Sequence, residues 1–156
     1  MAQSKVSKKQ SEQKFGERVI GCGFTIVPSV LLQCQERLGI NGQQLAILMH
    51  LLDHWWEPNS KPWPSKEKIA SRMQISTKQV QRHMRALEGA GFLKRGARFN
   101  NRGGQTSNLY DLSGLVERLK VLAEELHAAS EEAKAIKTGA QRPKHRRSRR
   151  EKEMPA

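Results

Sequence analysis

The chain is short of cysteine, of acidic residues and of long apolar runs, and each shortage removes a class of function. Cys22 and Cys34 are its only cysteines, too few for a disulfide framework or a cysteine zinc site. Two reduced thiols in a reducing compartment is what they imply. No apolar run approaches the roughly 20 residues that a membrane span requires. The polar, lysine-rich stretch from Met1 to Lys14 lacks the apolar core of a signal peptide. A soluble, cytoplasmic protein is expected. Nothing matches a phosphate-binding loop, a nucleophile elbow or a pair of catalytic carboxylates. Gly21-Cys22-Gly23 does not lie between a strand and a helix as the dinucleotide pattern demands. The sequence therefore predicts neither an enzyme nor a cofactor.

The shortage of acid is local as well as global. The 156 residues carry 28 Lys and Arg against 15 Asp and Glu, a formal charge of +13. Residues 61–102 hold eleven Lys and Arg against only Glu67 and Glu88, whereas 19–60 and 103–140 each come to −2. Positive charge concentrated on one stretch of a folded chain is the footprint of polyanion binding. A merely solvated basic face is the alternative.

Composition divides the chain into four parts. Residues 1–18, rich in Lys, Ser and Gln, read as a disordered arm. Residues 19–112 read as one folded domain. Within it, Gly23 to Pro28 is apolar and β-branched, an edge strand or extended arm. Ser29 is placed to cap a helix running to Leu38, with Gly39 as its stop, and Asn41 to cap a second carrying Leu45, Leu48, Met49 and Leu52. Ser65 caps a third, with Glu67 in its first turn. Ser76 caps a fourth that runs to about Glu88, left through Gly89 and Gly91. Two strand candidates, Phe92 to Arg95 and Ser107 to Leu112, flank a turn rich in Asn, Arg and Gly and predict a β-hairpin. Residues 113–138 read as an amphipathic helix. Leu112, Leu119, Leu126 and Ala133, with Leu115, Leu122, Ala129 and Ile136, alternate three and four apart as the seam of a coiled coil does. Homodimerisation through 112–136 is one reading, packing back on the helix's own domain the other. Residues 139–156 form a basic tail, including Arg142, Arg146, Arg149 and Lys152, that is expected to be disordered.

The stretch from Ile69 to Met84 reads as two short helices around a tight turn. Ala70 is small where the helices cross; Ile69, Met73, Ile75, Val80 and Met84 are apolar where such a unit needs internal contacts. Lys78, Gln81, Arg82 and Arg85 fall on the opposite face of the second helix. This is a helix-turn-helix with its second helix fit for a major groove. The hairpin behind it would be a wing.

These segments together carry a resemblance. Phe24 to Pro28 ahead of two helices, Trp63-Pro64-Ser65, Ile69-Ala70, Ile75 to Val80 and Leu87 to Leu93 resemble the bacterial winged-helix domains of plasmid and phage replication or regulatory proteins. It spans Phe24 to Leu112, somewhat over half the chain. Two positions depart from the usual pattern: Gln74 stands where glycine commonly provides positive φ, at about 1 kcal/mol, and His83 stands where an apolar residue commonly packs. The resemblance implies a mainly α winged helix-turn-helix domain that binds double-stranded DNA sequence-specifically. Gln81 would pair with adenine and Arg82 with guanine, each worth about 1–3 kcal/mol of discrimination. Ser76, Thr77, Lys78 and Arg85 would complete that face, Ser65 and Lys66 would meet the opposing backbone, and Arg95, Arg98, Asn100, Asn101 and Arg102 would act from the wing.

Three functions follow: a dimeric transcriptional regulator, a replication initiator that binds origin repeats and contacts the replication machinery, or a charge-driven nucleic-acid binder. Two further clusters stand outside them. His50 and His54 are one helical turn apart, as metal ligands or structural histidines. Trp55, Trp56 and Trp63 gather around the Pro58 to Pro64 turn, as packing residues or as a stacking platform for single strands.

Overall fold

The computed structural model describes residues 2–141; the basic tail from Arg142 onward lies outside them. The chain divides into two units at Lys120–Val121, and the winged-helix fold lies in the first. The described residues form helices α1 (Ala2–Phe15), α2 (Glu17–Gly21), α3 (Ser29–Gln33), α4 (Gln35–Leu38), α5 (Gly42–Asp53), α6 (Lys66–Met73) and α7 (Thr77–Gly89). Strands β1 (Lys94–Gly96) and β2 (Leu109–Asp111) follow, then α8 (Ser113–Gln141).

Capping explains where the central helices start. The Asn41 side chain accepts from the Gln44 N–H while the Gln44 side chain accepts from the Asn41 N–H. Ser76 and Gln79 make the same reciprocal pair at the start of α7. Ser65 accepts from the Lys68 N–H. Each cap satisfies backbone donors that a helix leaves orphaned, at about 1 kcal/mol apiece. The buried stripe of α7 is Val80, His83, Met84 and Leu87; it packs with Ile69 and Ala70 of α6 and Ile47, Leu48 and Leu51 of α5 in the core. Between α6 and α7 the backbone turns at Gln74, with φ 52°, the one non-glycine of positive φ among the described residues. Its geometry is the one the turn requires.

The chain leaves α7 through Gly91 (φ 81°), and the Phe92 N–H reaches back to the Leu87 carbonyl at 3.0 Å, the reversal that closes a helix through a left-handed glycine. The Phe92 carbonyl then accepts from the Leu115 N–H at 3.0 Å. A Cβ on Gly114 would lie 2.0 Å from the Gly91 carbonyl oxygen, so only glycine lets the first turn of α8 sit this close to the exit of α7. Strands β1 and β2 pair antiparallel, Arg95 opposite Tyr110, and the hairpin is extended by a bridge between Phe99 and Gln105. Its other edge is tied down where the Tyr110 N–H donates to the Pro62 carbonyl at 2.9 Å.

Three local expectations are revised. Residues 2–15 are helical instead of disordered. Their Gln, Glu and Lys side chains favour helix, but without an apolar stripe they give no periodicity to read. Gly23 to Val27 forms no strand, so the extended-arm alternative stands. Between Ser29 and Leu38 the helix breaks at Cys34 (φ −108°), and Ser29 lies inside α3, behind Pro28 at the cap position, where no side-chain hydrogen bond caps the helix.

The heptad seam is divided. Leu112, Leu115 and Leu119 are buried within the first unit, so that part of the seam is occupied within the chain. Beyond Lys120, Leu122 is still buried, while Leu126 and Ile136 are exposed.

Candidate nucleic-acid interface

Burying Val80, His83, Met84 and Leu87 fixes the rotation of α7 and thereby which side chains it offers outward. Thr77, Lys78, Arg82 and Arg85 are exposed, and Gln81 is half-buried beside them. Ser76, Lys78, Gln79, Gln81, Arg82 and Arg85 line one trough. Lys78, Arg82 and Arg85 form no ion pair among the described residues, so the helix presents three exposed cations and one amide, Arg85 within electrostatic reach of Glu88. His83 is 7% exposed, with Nε2 2.6 Å from Gln43 Oε1 of α5. It satisfies its polarity by bridging two helices and takes no part in the outward face.

The two cap serines differ in what they have left to offer. The Ser76 hydroxyl accepts from the Gln79 N–H and lies 3.2 Å from Gln79 Oε1 as donor, so it is consumed in shaping the helix start. The Ser65 hydroxyl accepts from the Lys68 N–H, which leaves its hydrogen to donate. Lys66 and Lys68 stand beside it in the first turn of α6 without an ion pair. Lys68 shares this first turn with Lys66 and was not among the residues expected at the surface.

The wing sorts its cations. Arg95 is turned inward: its Nε and terminal nitrogen donate to Glu88 Oε2 at 3.0 and 2.6 Å, and its backbone N–H to Glu88 Oε1 at 3.3 Å. Arg95 beside it holds the Glu88 carboxyl below its ordinary pKa. This pair clamps the wing to the end of α7 and engages the Arg95 guanidinium within the domain. Asn100 is likewise engaged, its Oδ1 accepting from the Arg102 and Gly104 N–H groups, with Gly103 at φ 80° completing the turn. Asn101 and Arg102 are exposed at the tip. Arg98 lies flat over Trp63, its guanidinium carbon 3.9 Å from the ring centroid, a cation–π contact.

His54 Nδ1 is 2.8 Å from the His50 carbonyl oxygen, so that nitrogen is engaged at the helix end and Nε2 is the one left open. Burial and the nearby Arg72 depress the His50 pKa. Among the described residues no group of three or more His, Cys, Asp or Glu could hold a metal ion, and no helix is long and apolar enough to cross a membrane. Both cysteines are free thiols, Cys22 exposed and Cys34 buried.

Two helices around a left-handed turn, an outward cationic face and a paired hairpin behind it define a winged helix-turn-helix domain. The chain matches the DnaD N-terminal domain family over residues 27–132 and belongs to it. In structure it is similar to the N-terminal domain of DnaD protein from Geobacillus kaustophilus, at 23% identity over 74% of this chain and 93% of that one, with a TM-score of 0.54. Also similar are a possible transcriptional regulator from Methanosarcina mazei (16% identity, 70% and 85% covered, TM-score 0.43) and YusO from Bacillus subtilis (18%, 90% and 95%, 0.41). The comparison with curated proteins returns no match.

Proposed function

We propose that this protein binds double-stranded DNA sequence-specifically through the outward face of α7 and that, as a dimer, it regulates transcription from the bound site. One observation carries the reading: Lys78, Arg82 and Arg85, with Gln81 among them, share the open face of a helix held rigidly by a buried opposite face. A fixed helix presenting Arg and Gln can satisfy the donor and acceptor pattern of base edges in a major groove. Exposed lysine and arginine supply the sequence-independent attraction to phosphate. Lys66 and Lys68 with the Ser65 hydroxyl serve the backbone, and Asn101 and Arg102 serve the flanking groove. The exposed part of the heptad seam, Leu126 to Ile136, is the surface left for a second copy.

Membership of the DnaD N-terminal domain family favours a second reading, in which the same face binds repeated sequences at a replication origin. Selection of sites from random duplex DNA at about physiological salt separates the two. An enriched inverted repeat supports the dimeric regulator; tandem direct repeats support the initiator. Binding without any enriched motif, with affinity falling at a log–log slope of about −0.9 per phosphate contact, leaves only the charge-driven reading and sinks both.

A further inference from the structure

Two of the three tryptophans are not packing residues. Trp56 is 73% exposed and Trp63 44% exposed. Water-exposed indole surface is unfavourable unless something covers it. The two rings wall a cleft of about 250 Å³ floored by Pro64 and edged by His54, Ser65 and Lys68. Both walls are held in place. Arg98 stacks on Trp63, whose carbonyl accepts from the Ser107 hydroxyl at 3.0 Å, and the Trp56 ring packs against His54 with centroids 6.0 Å apart. No carboxylate lines the cleft.

We propose that this cleft takes an unpaired base of single-stranded DNA, stacked on Trp56, with the adjoining phosphate drawn to Lys68. The chemistry that fits is planar, apolar on its faces and anionic at its edge. Two aromatic walls fit a heterocycle, and a rim with one lysine and no carboxylate fits the phosphate attached to it. An acidic or purely apolar partner would satisfy only one of these. The space is at or below the small end of the range for ligand pockets, about 300–1,000 Å³, enough for one base and too little for the edge of a duplex. The cleft shares Ser65 and Lys68 with the surface assigned above to duplex backbone, which places a melted or gapped stretch of the same DNA within reach. The inference goes beyond the duplex-reading face and depends on that reading only in the choice of DNA.

The test compares the full chain with Trp56→Ala and Trp56→Phe. Each is titrated with labelled oligothymidylate, with a strand of equal length whose bases are replaced by abasic sites, and with duplex. Stacking of one base is worth about 5- to 150-fold in affinity. Trp56→Ala is expected to weaken oligothymidylate binding by about 10-fold or more, Trp56→Phe to recover most of it, and neither to shift duplex binding by more than about twofold. The abasic strand should bind the parent weakly and be indifferent to both substitutions. Equal binding of oligothymidylate and abasic strand by the parent would overturn the proposal, since phosphate alone would then account for affinity. So would a loss on Trp56→Ala that is shared by all three ligands, or no loss at all. Because Trp56 is mostly exposed, its truncation leaves the core intact. Failure of the duplex reading would show instead as Arg82→Ala leaving the ranking of duplex sites unchanged, an independent result.

Discussion

Replacing Gly114 with alanine should destabilise the winged-helix unit sharply, because the added carbon falls 2.0 Å from the Gly91 carbonyl oxygen. A carbon and a carbonyl oxygen do not approach closer than about 3 Å, so the two backbones must part by about 1 Å, an overpacking that costs about 1–3 kcal/mol. The same movement pulls on the 3.0 Å bond from the Leu115 N–H to the Phe92 carbonyl, worth a further 0.5–1.5 kcal/mol or so. Gly91 cannot easily give way, since its φ of 81° is already one that side-chain-bearing residues avoid. The sum, about 2–4 kcal/mol, corresponds to a fall in melting temperature of roughly 6–12 °C for a chain of this size. Thermal unfolding followed by circular dichroism measures it. The matched control is Gly89→Ala, also in a helix but with nothing within 4 Å of the new Cβ, which should be neutral or stabilising by up to about 1 kcal/mol. A Gly114→Ala protein that melts within about 2 °C of the parent would refute the close approach of α8 to the end of α7.

Glu88→Gln should lower stability at neutral pH by about 0.5–1 kcal/mol, the scale of a partly exposed ion pair. The folded-state pKa of Glu88 is depressed, chiefly by its hydrogen bond from Arg95. Its contribution is therefore full above the ordinary glutamate pKa of about 4.3 and is lost as pH falls through the lower folded value. Denaturant melts of parent and variant should differ at pH 7 and converge in acid; a gap that persists unchanged in acid would contradict the assignment. Gln74→Gly should be stabilising by up to about 1 kcal/mol, because the residue sits at φ 52° and ψ 43°. A destabilised variant in urea would show that the Gln74 side chain makes a contact worth more than the strain.

How much was readable in advance depended on whether the signal was local. Asn41, Ser65 and Ser76 announced their helices because capping is a matter of three or four residues. The apolar spacing of Val80, Met84 and Leu87 fixed which face of α7 looks outward, and the glycine-free turn at Gln74 was placed by the pattern around it. The pairing of Arg95 with Glu88 was not legible, because Glu88 is seven residues back across a helix end and charge counting cannot see a pairing. The seam from Leu112 to Ile136 was legible as a stripe, but periodicity records only that a face is covered, not by what; the structure buries Leu112, Leu115 and Leu119 within the chain. The amino-terminal helix has no apolar stripe at all. The exposure of Trp56 and Trp63 could not be inferred, since tryptophans around a proline-rich turn pack more often than they project.

The central claim is that α7 reads base edges, and the ranking of duplex sites tests it most directly. Binding of the parent and of Arg82→Ala should be measured across every single-base variant of a selected site, at fixed salt. The account predicts that Arg82→Ala loses about 1–3 kcal/mol of discrimination at one or two adjacent base pairs and leaves the preference elsewhere intact. A uniform weakening at all positions, with the ranking preserved, would make Arg82 a phosphate contact and contradict the claim.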